Sequence, residues 1–250
     1  MNKSSVLLFT FLATTVFFPA CNNDDDVEPT DAQLNFNLSH VVGGMDPLVQ
    51  DAIQYENAYG NMYSVETLKY FVSDFRLEDE DGNEVQIDEA HYVDAFDAAT
   101  HLFQPAEKIP AGEYVSVSFV FGLDEEMNVP GEFPNPPESN MEWPLAMGSG
   151  YHYMKLEGKV DSAGTVNNFQ AHTGPTMGNQ NYIEITLPGS AFTLDQNGQT
   201  LTIFMDINKW WSTPHLINLN QVTGIMGNQA MQEKLKANGQ DVFGFGGIEQ

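Results

Sequence analysis

The segment Gln33–His40, QLNFNLSH, sets Leu34, Phe36 and Leu38 on one phase and Gln33, Asn35, Asn37 and Ser39 on the other. A period of two sends alternate side chains to opposite faces of an extended chain, so the segment is a strand with one buried face. The pattern returns in YVSVSFVFG, where Val115, Val117, Phe119 and Phe121 share a phase. KYFVSDFRLE, NEVQI, HYVDAF, GYHYMKLEG, NYIEITL and QTLTIFMD are further strand-like runs. Asp81-Gly82 separates two of them as a hairpin turn, and IPAGEY is a turn. Many short strands divided by Gly, Pro and Asn predict an all-β fold, a single antiparallel β-sandwich.

Helical patterns are few. Asn228–Gly239, NQAMQEKLKANG, predicts one short helix near the C-terminus, with Gly239 as its stop. Ser64–Leu68 predicts a single turn opened by Ser64. Met127–Ser149 holds five prolines and reads as an irregular excursion from the sandwich. There is no internal repeat.

The chain ends bound the domain. Lys3 precedes an apolar run, Val6–Phe18, that is thirteen residues long. A membrane span needs about 20, so residues 1–20 read as a secretory leader. Cys21 is the sole cysteine. At the end of such a leader it is expected to carry a lipid, the alternative being a secreted protein with a stray thiol. Residues 21–32, rich in Asp, form an acidic tether that cannot bury a core. They resemble the surface-export signal of Bacteroidetes lipoproteins, which implies a lipid-anchored place at the outer membrane, on its periplasmic face or the cell surface. The domain then occupies 33–250.

Charge narrows the partners. A formal net charge of -26 repels nucleic acid and anionic lipid, so contact with a membrane is expected through the anchor alone. Enzyme machinery is missing: there is no G-x-S-x-G, and the cysteine is spent on the anchor, so no catalytic residue is assigned. LEDEDGNEV brings Asp79 and Asp81 ahead of Gly82 but lacks the spacing and terminal Glu of a calcium loop, and reads as a charged hairpin.

Six histidines and eleven methionines supply imidazole and thioether, the donors that suit Cu(I) outside the cytoplasm. The same residues also fill irregular cores. His152 shares phase with Met154 and Leu156, which fits a hydrogen-bonded core residue as well as a ligand. His40 carries the same ambiguity. His91 and His215 read as surface residues, and Trp210-Trp211 as packing at a strand end.

The succession LKYFVSDFRLEDEDGNEV, HYVDAFD, IPAGEYVSVSFVFGLDEEMN, MEWPLAMGSGYHYMKLEG, FQAHTG and NGQDVFGF resembles the MbnP-like copper-binding family, from about Leu34 to Phe245. The resemblance implies an all-β extracytoplasmic domain in which two histidines hold copper near an oxidised tryptophan, a kynurenine. His172 in FQAHTG matches one ligand position. The other follows an asparagine, and here Asn128 is followed by Val129. Trp143 remains from a tryptophan pair whose second member is replaced. Met127 or His152 is therefore the expected second donor beside His172. The function implied is copper binding for acquisition, storage or delivery. The alternative is a metal-free module that binds a protein or glycan.

Overall fold

The structure, a computed structural model, describes residues 30–44 and 46–250. The expected leader, Cys21 and most of the tether lie outside the described residues. The last tether residues, Asp31–Ala32, pair with Ile109–Pro110, and Ala32 is buried. The folded domain thus begins two residues before the expected boundary.

Strand β1 (Leu34–Val42) buries Leu34, Phe36, Leu38, His40 and Val42 and half-exposes the residues between them, as its alternation requires. Strand β2 (Thr67–Asp79) is the centre of the large sheet. Along one edge it pairs with β3 (Glu84–Asp94). Its other edge is shared by β4 (Gly112–Phe121) and β5 (Met154–Ser162). Strand β5 turns back into β6 (Thr165–Thr173), while β7 (Ile183–Thr186) adds beyond β4. A smaller sheet joins β1 to β8 (Gln199–Asp206) and, after helix α1 (Gln229–Gly239), to β9 (Phe243–Glu249). Among the described residues, the expected all-β sandwich with one short helix is what the chain forms. Its β1–β8 pair is parallel, because the first and eighth strands enter the small sheet from the same end after the chain has traversed the large one.

Aromatic rings lock the two sheets together. Phe36 of β1 stacks on Phe75 of β2 at 4.3 Å, and Phe243 of β9 meets Phe119 of β4 edge-on at 5.1 Å. Burial of each such side chain contributes about 1.5–3 kcal/mol. Trp210 and Trp211 are fully buried, in keeping with a packing role.

Strand β2 is buried on both faces: Tyr70, Val72 and Phe75 point into the sandwich, whereas Phe71 points out. The Met127–Ser149 excursion covers that outer face. Its Phe133 stacks on Phe71 at 5.2 Å, and Met141, Tyr151 and Tyr153 complete the cluster.

Several local expectations give way to tertiary contacts. HYVDAF is not a separate strand; most of it continues NEVQI within β3. Ser64–Leu68 is extended rather than helical. The Ser64 hydroxyl accepts from the Lys159 N–H at 3.1 Å and the Ser64 N–H donates to the Lys159 carbonyl at 2.9 Å, tying the segment to β5. Val115 is 47 % exposed, because a register shift between Tyr114 and Ser116 breaks the alternation. Strand β9 escapes the pattern since three of its seven residues are glycine. At Gly244 a Cβ would lie 2.2 Å from the Phe204 ring, so the missing side chain makes room for a neighbour. Gly239 likewise leaves space for Trp210 and Ile183 and does not adopt a left-handed stop.

Candidate metal centre

His172 is fixed by the β5–β6 hairpin, where it sits opposite Lys155. Its strand neighbours Phe169 and Ala171 belong to the inter-sheet core, so His172 projects from the outer face, on the side of Lys155 and Glu157. Its Nε2 lies 2.6 Å from Glu157 Oε1. A carboxylate only accepts, so Nε2 is the donor and Nδ1 is the nitrogen left over. This hydrogen bond is the main reason the Glu157 carboxyl sits below the usual glutamate range.

His152 precedes β5 in the segment Tyr151–Tyr153, which is pinned from both sides. Asn128 Oδ1 accepts from the Tyr151 N–H at 2.8 Å, and Asn128 Nδ2 donates to the Tyr153 hydroxyl at 3.2 Å. The Tyr151 hydroxyl accepts from the Phe133 N–H at 2.8 Å. Both tyrosines enter the outer-face cluster, and the ring between them turns the other way. His152 Nδ1 donates to the Met141 carbonyl at 2.9 Å, which leaves Nε2 with its lone pair. Burial, with a smaller contribution from Lys155, pushes the His152 imidazole down to about 3 and keeps it neutral.

The two rings meet. His152 and His172 have centroids 5.1 Å apart at an interplanar angle of 82°. The Trp143 indole stands edge-on to His152 at 4.7 Å. Gly174, two residues after His172, is what admits this tryptophan: a Cβ there would lie 2.5 Å from Trp143 Cε3. A hollow of about 300 Å³ opens on the far side of Trp143, lined also by Pro130, Glu142 and Leu145.

Each imidazole thus has one nitrogen anchored to an oxygen and one left over. Metal-binding histidines are held in this way, with the second N–H donated to a carboxylate or carbonyl. Among the described residues no group of three or more His, Cys, Asp or Glu assembles into a metal-ligand cluster, so the donor set is the pair of imidazoles. That set fits a soft, low-charge ion.

The residues expected to act together are sorted by the fold. His172 and His152 are brought into contact. Met127 is grouped with Phe133 and Ala90 around a different hollow, on the tyrosine side of the 151–153 segment. It is turned there because the Asp124 carboxylate accepts from its backbone N–H at 2.9 Å. Val129, standing where a second histidine was expected, is 45 % exposed. Sequence reasoning passed over Glu157, although it lies in the KLEG stretch. Its signal was faint: an acid one strand across from His172, visible only once β5 and β6 are aligned in register. His40 is buried, as its phase implied, whereas His91, expected at the surface, lies mid-strand in β3, half-buried and stacked on Phe103 at 5.0 Å. His215 is exposed.

The MbnP family model matches residues 31–230. The solved structure of MbnP from Methylosinus trichosporium aligns with a TM-score of 0.60 over 87% of this chain and 100% of that one. At 14% identity that likeness is one of fold. No curated protein matches the chain. With the family model spanning well over half of its length, the chain belongs to the MbnP family.

Proposed function

We propose that this protein binds copper as Cu(I) between His152 and His172 beside Trp143, and serves to acquire, store or deliver the ion outside the cytoplasm. The observation that carries this reading is the contact of the two imidazoles at 5.1 Å with one nitrogen of each already anchored. The anchors set the roles of the surrounding residues. Glu157 orients His172, the Met141 carbonyl orients His152, and Trp143 walls the pair from water. Two imidazoles bring no charged ligand to the ion, which favours a monovalent over a divalent cation, because the cost of burying charge rises steeply with its size. The role is one of binding, and no residue is assigned to catalysis. Attachment to the outer membrane runs through a lipid on Cys21, with the protein or glycan partner left open.

The test is a Cu(I) titration of the protein against a competing chelator. His172→Ala and His152→Ala should each weaken binding at least tenfold, about 1.4 kcal/mol, whereas Met127→Ala should leave it unchanged. Equal affinity in wild type and both histidine variants would sink the assignment.

A further inference from the structure

The four remaining histidines lie outside that centre, and two of them form a second pair. His40, on the buried phase of β1, and His101 have ring centroids 5.2 Å apart at 60°. The spacing nearly repeats that of His152 and His172. The pair lies on the inner side of the large sheet, where Tyr70 of the inter-sheet core reaches His40.

The backbone holds the two rings in place. His101 follows the short 3-10 turn Ala98–Thr100, which is capped by Asp97. The His101 carbonyl accepts from Leu38 N–H at 2.8 Å, two residues before His40 on β1, and Leu102–Phe103 continue the pairing. Thr100 adds a hydroxyl that accepts from the Asp94 N–H at 2.8 Å. Neither ring can move far without breaking strand contacts.

Each ring again has one nitrogen anchored. His101 Nε2 donates to the Asp94 carbonyl at 3.2 Å, and Nδ1 is the nitrogen left over. His40 Nε2 lies 2.9 Å from the Tyr70 hydroxyl. A cation taken by His40 Nδ1 would hold the single proton of the ring on Nε2, where the Tyr70 oxygen can accept it. Burial keeps His40 neutral. The neighbouring Asp94 carboxylate is paired with Lys69 at 3.2 Å and brings no free negative charge. Metal–nitrogen bonds of about 2 Å place two imidazoles that share an ion roughly 5–6 Å apart, which matches the separation here.

We propose that His40 and His101 form a second site for a soft monovalent cation, Cu(I) by its donor chemistry, separate from the His152–His172 centre. The site is half-buried and built from imidazole alone. Those properties disfavour Zn²⁺ and Ca²⁺, whose double charge would be buried without a counter-ion.

The experiment uses Ag(I), a redox-inert stand-in for Cu(I), in equilibrium dialysis with the protein. Imidazole nitrogen NMR of histidine-labelled protein is recorded alongside. The wild type should take up two equivalents, and His101→Ala and His172→Ala should each take up one. His101 is the residue to change because it is only half-buried, whereas His40→Ala opens a cavity in the core. The His40 and His101 nitrogen signals should shift with Ag(I) in His172→Ala, which reports on the second site even if a variant is less stable. An unchanged stoichiometry in His101→Ala, or silent His40 and His101 signals, overturns the second site. One wild-type equivalent lost only in His172→Ala does so as well, while leaving the first centre standing. One equivalent lost only in His101→Ala supports the second site and removes the first.

Discussion

On one face of β2, Phe75 stacks on Phe36 of the opposite sheet at 4.3 Å; on the other, Phe71 stacks on Phe133 of a proline-rich excursion at 5.2 Å. Both faces are buried, yet by different means. The inner face is closed by a regular strand whose side chains alternate. The outer face is closed by a segment whose regular structure amounts to the 3-10 turns Glu138–Met141 and Leu145–Met147. That segment depends on side-chain hydrogen bonds, chiefly from Asn128 and Tyr151, to stay in place. The difference teaches that regular alternation supplies the strength of the inner face, whereas an irregular cover shapes the surroundings of His152 on the outer one. A cover that need not form a ladder is free to place a carbonyl at His152 and an indole beside it.

The sharpest way to break this division is to weaken the inner face. Phe75→Ala should cost about 3–5 kcal/mol by loss of transfer energy plus a cavity. Denaturant unfolding followed by fluorescence and by far-ultraviolet dichroism should shift together. Separate transitions would show that the outer cover is an independent unit.

Acid is next in size. His40 on the inner side and His152 on the outer one are both held near 3, well under the 6.5 of a free imidazole. As pH falls below 6.5 the unfolded chain takes up protons that the folded chain refuses, so stability declines with pH, by at most about 1.4 kcal/mol per unit and histidine. In metal-free protein, the destabilisation by His152→Ala should therefore shrink between pH 7 and pH 5. A constant difference across that range would mean that His152 takes up its proton in the fold as it does in the unfolded chain.

Asn128→Ala should cost about 1–2 kcal/mol by stranding the Tyr151 N–H. Hydrogen exchange should quicken around 127–151 while β1 and β8 keep their protection; uniform loss would contradict the proposed division. Glu157→Gln is the mildest. Its carboxyl is 30 % exposed and held low by His172, so the pair adds less than about 1 kcal/mol. That contribution is present above the ordinary glutamate range and fades as the pH falls through the lowered value. The stability of the variant should consequently differ least from wild type in acid. Cu(I) affinity, by contrast, should drop about tenfold through loss of His172 orientation. Unaltered affinity would remove Glu157 from the centre.

Much of the inner face was legible. Leu34, Phe36, Leu38 and His40 share a phase, and a period of two assigns them to one surface without knowledge of any partner. Asp81-Gly82 marks its hairpin because only certain residues tolerate the required backbone. Val115 was misplaced because a bulge depends on the fit of β4 to β2, which no window of YVSVSFVFG contains. Strand β9 was missed for a related reason: Gly244 exists for the ring of Phe204, forty residues away.

The centre was half legible. His172 stood out by its place in the family's order of segments, whereas its companion did not. Phase reasoning gave His152 to the same face as Met154, but β5 starts only at Met154, and the irregular 151–153 segment follows no strand periodicity. Chain proximity favoured Met127, next to Asn128, and a turn closed by Asp124 carries it to a different hollow.

The sequence by itself therefore determined the class of fold, the inner face of the main strands and the short helix, and singled out His172 as a candidate. Each follows from local periodicity, turn chemistry or order along the chain. The tertiary structure alone decided that His152 meets His172 beside Trp143, and that His40 meets His101. Contact between residues on different elements is set by register and by how the outer cover folds back, quantities that no local pattern encodes.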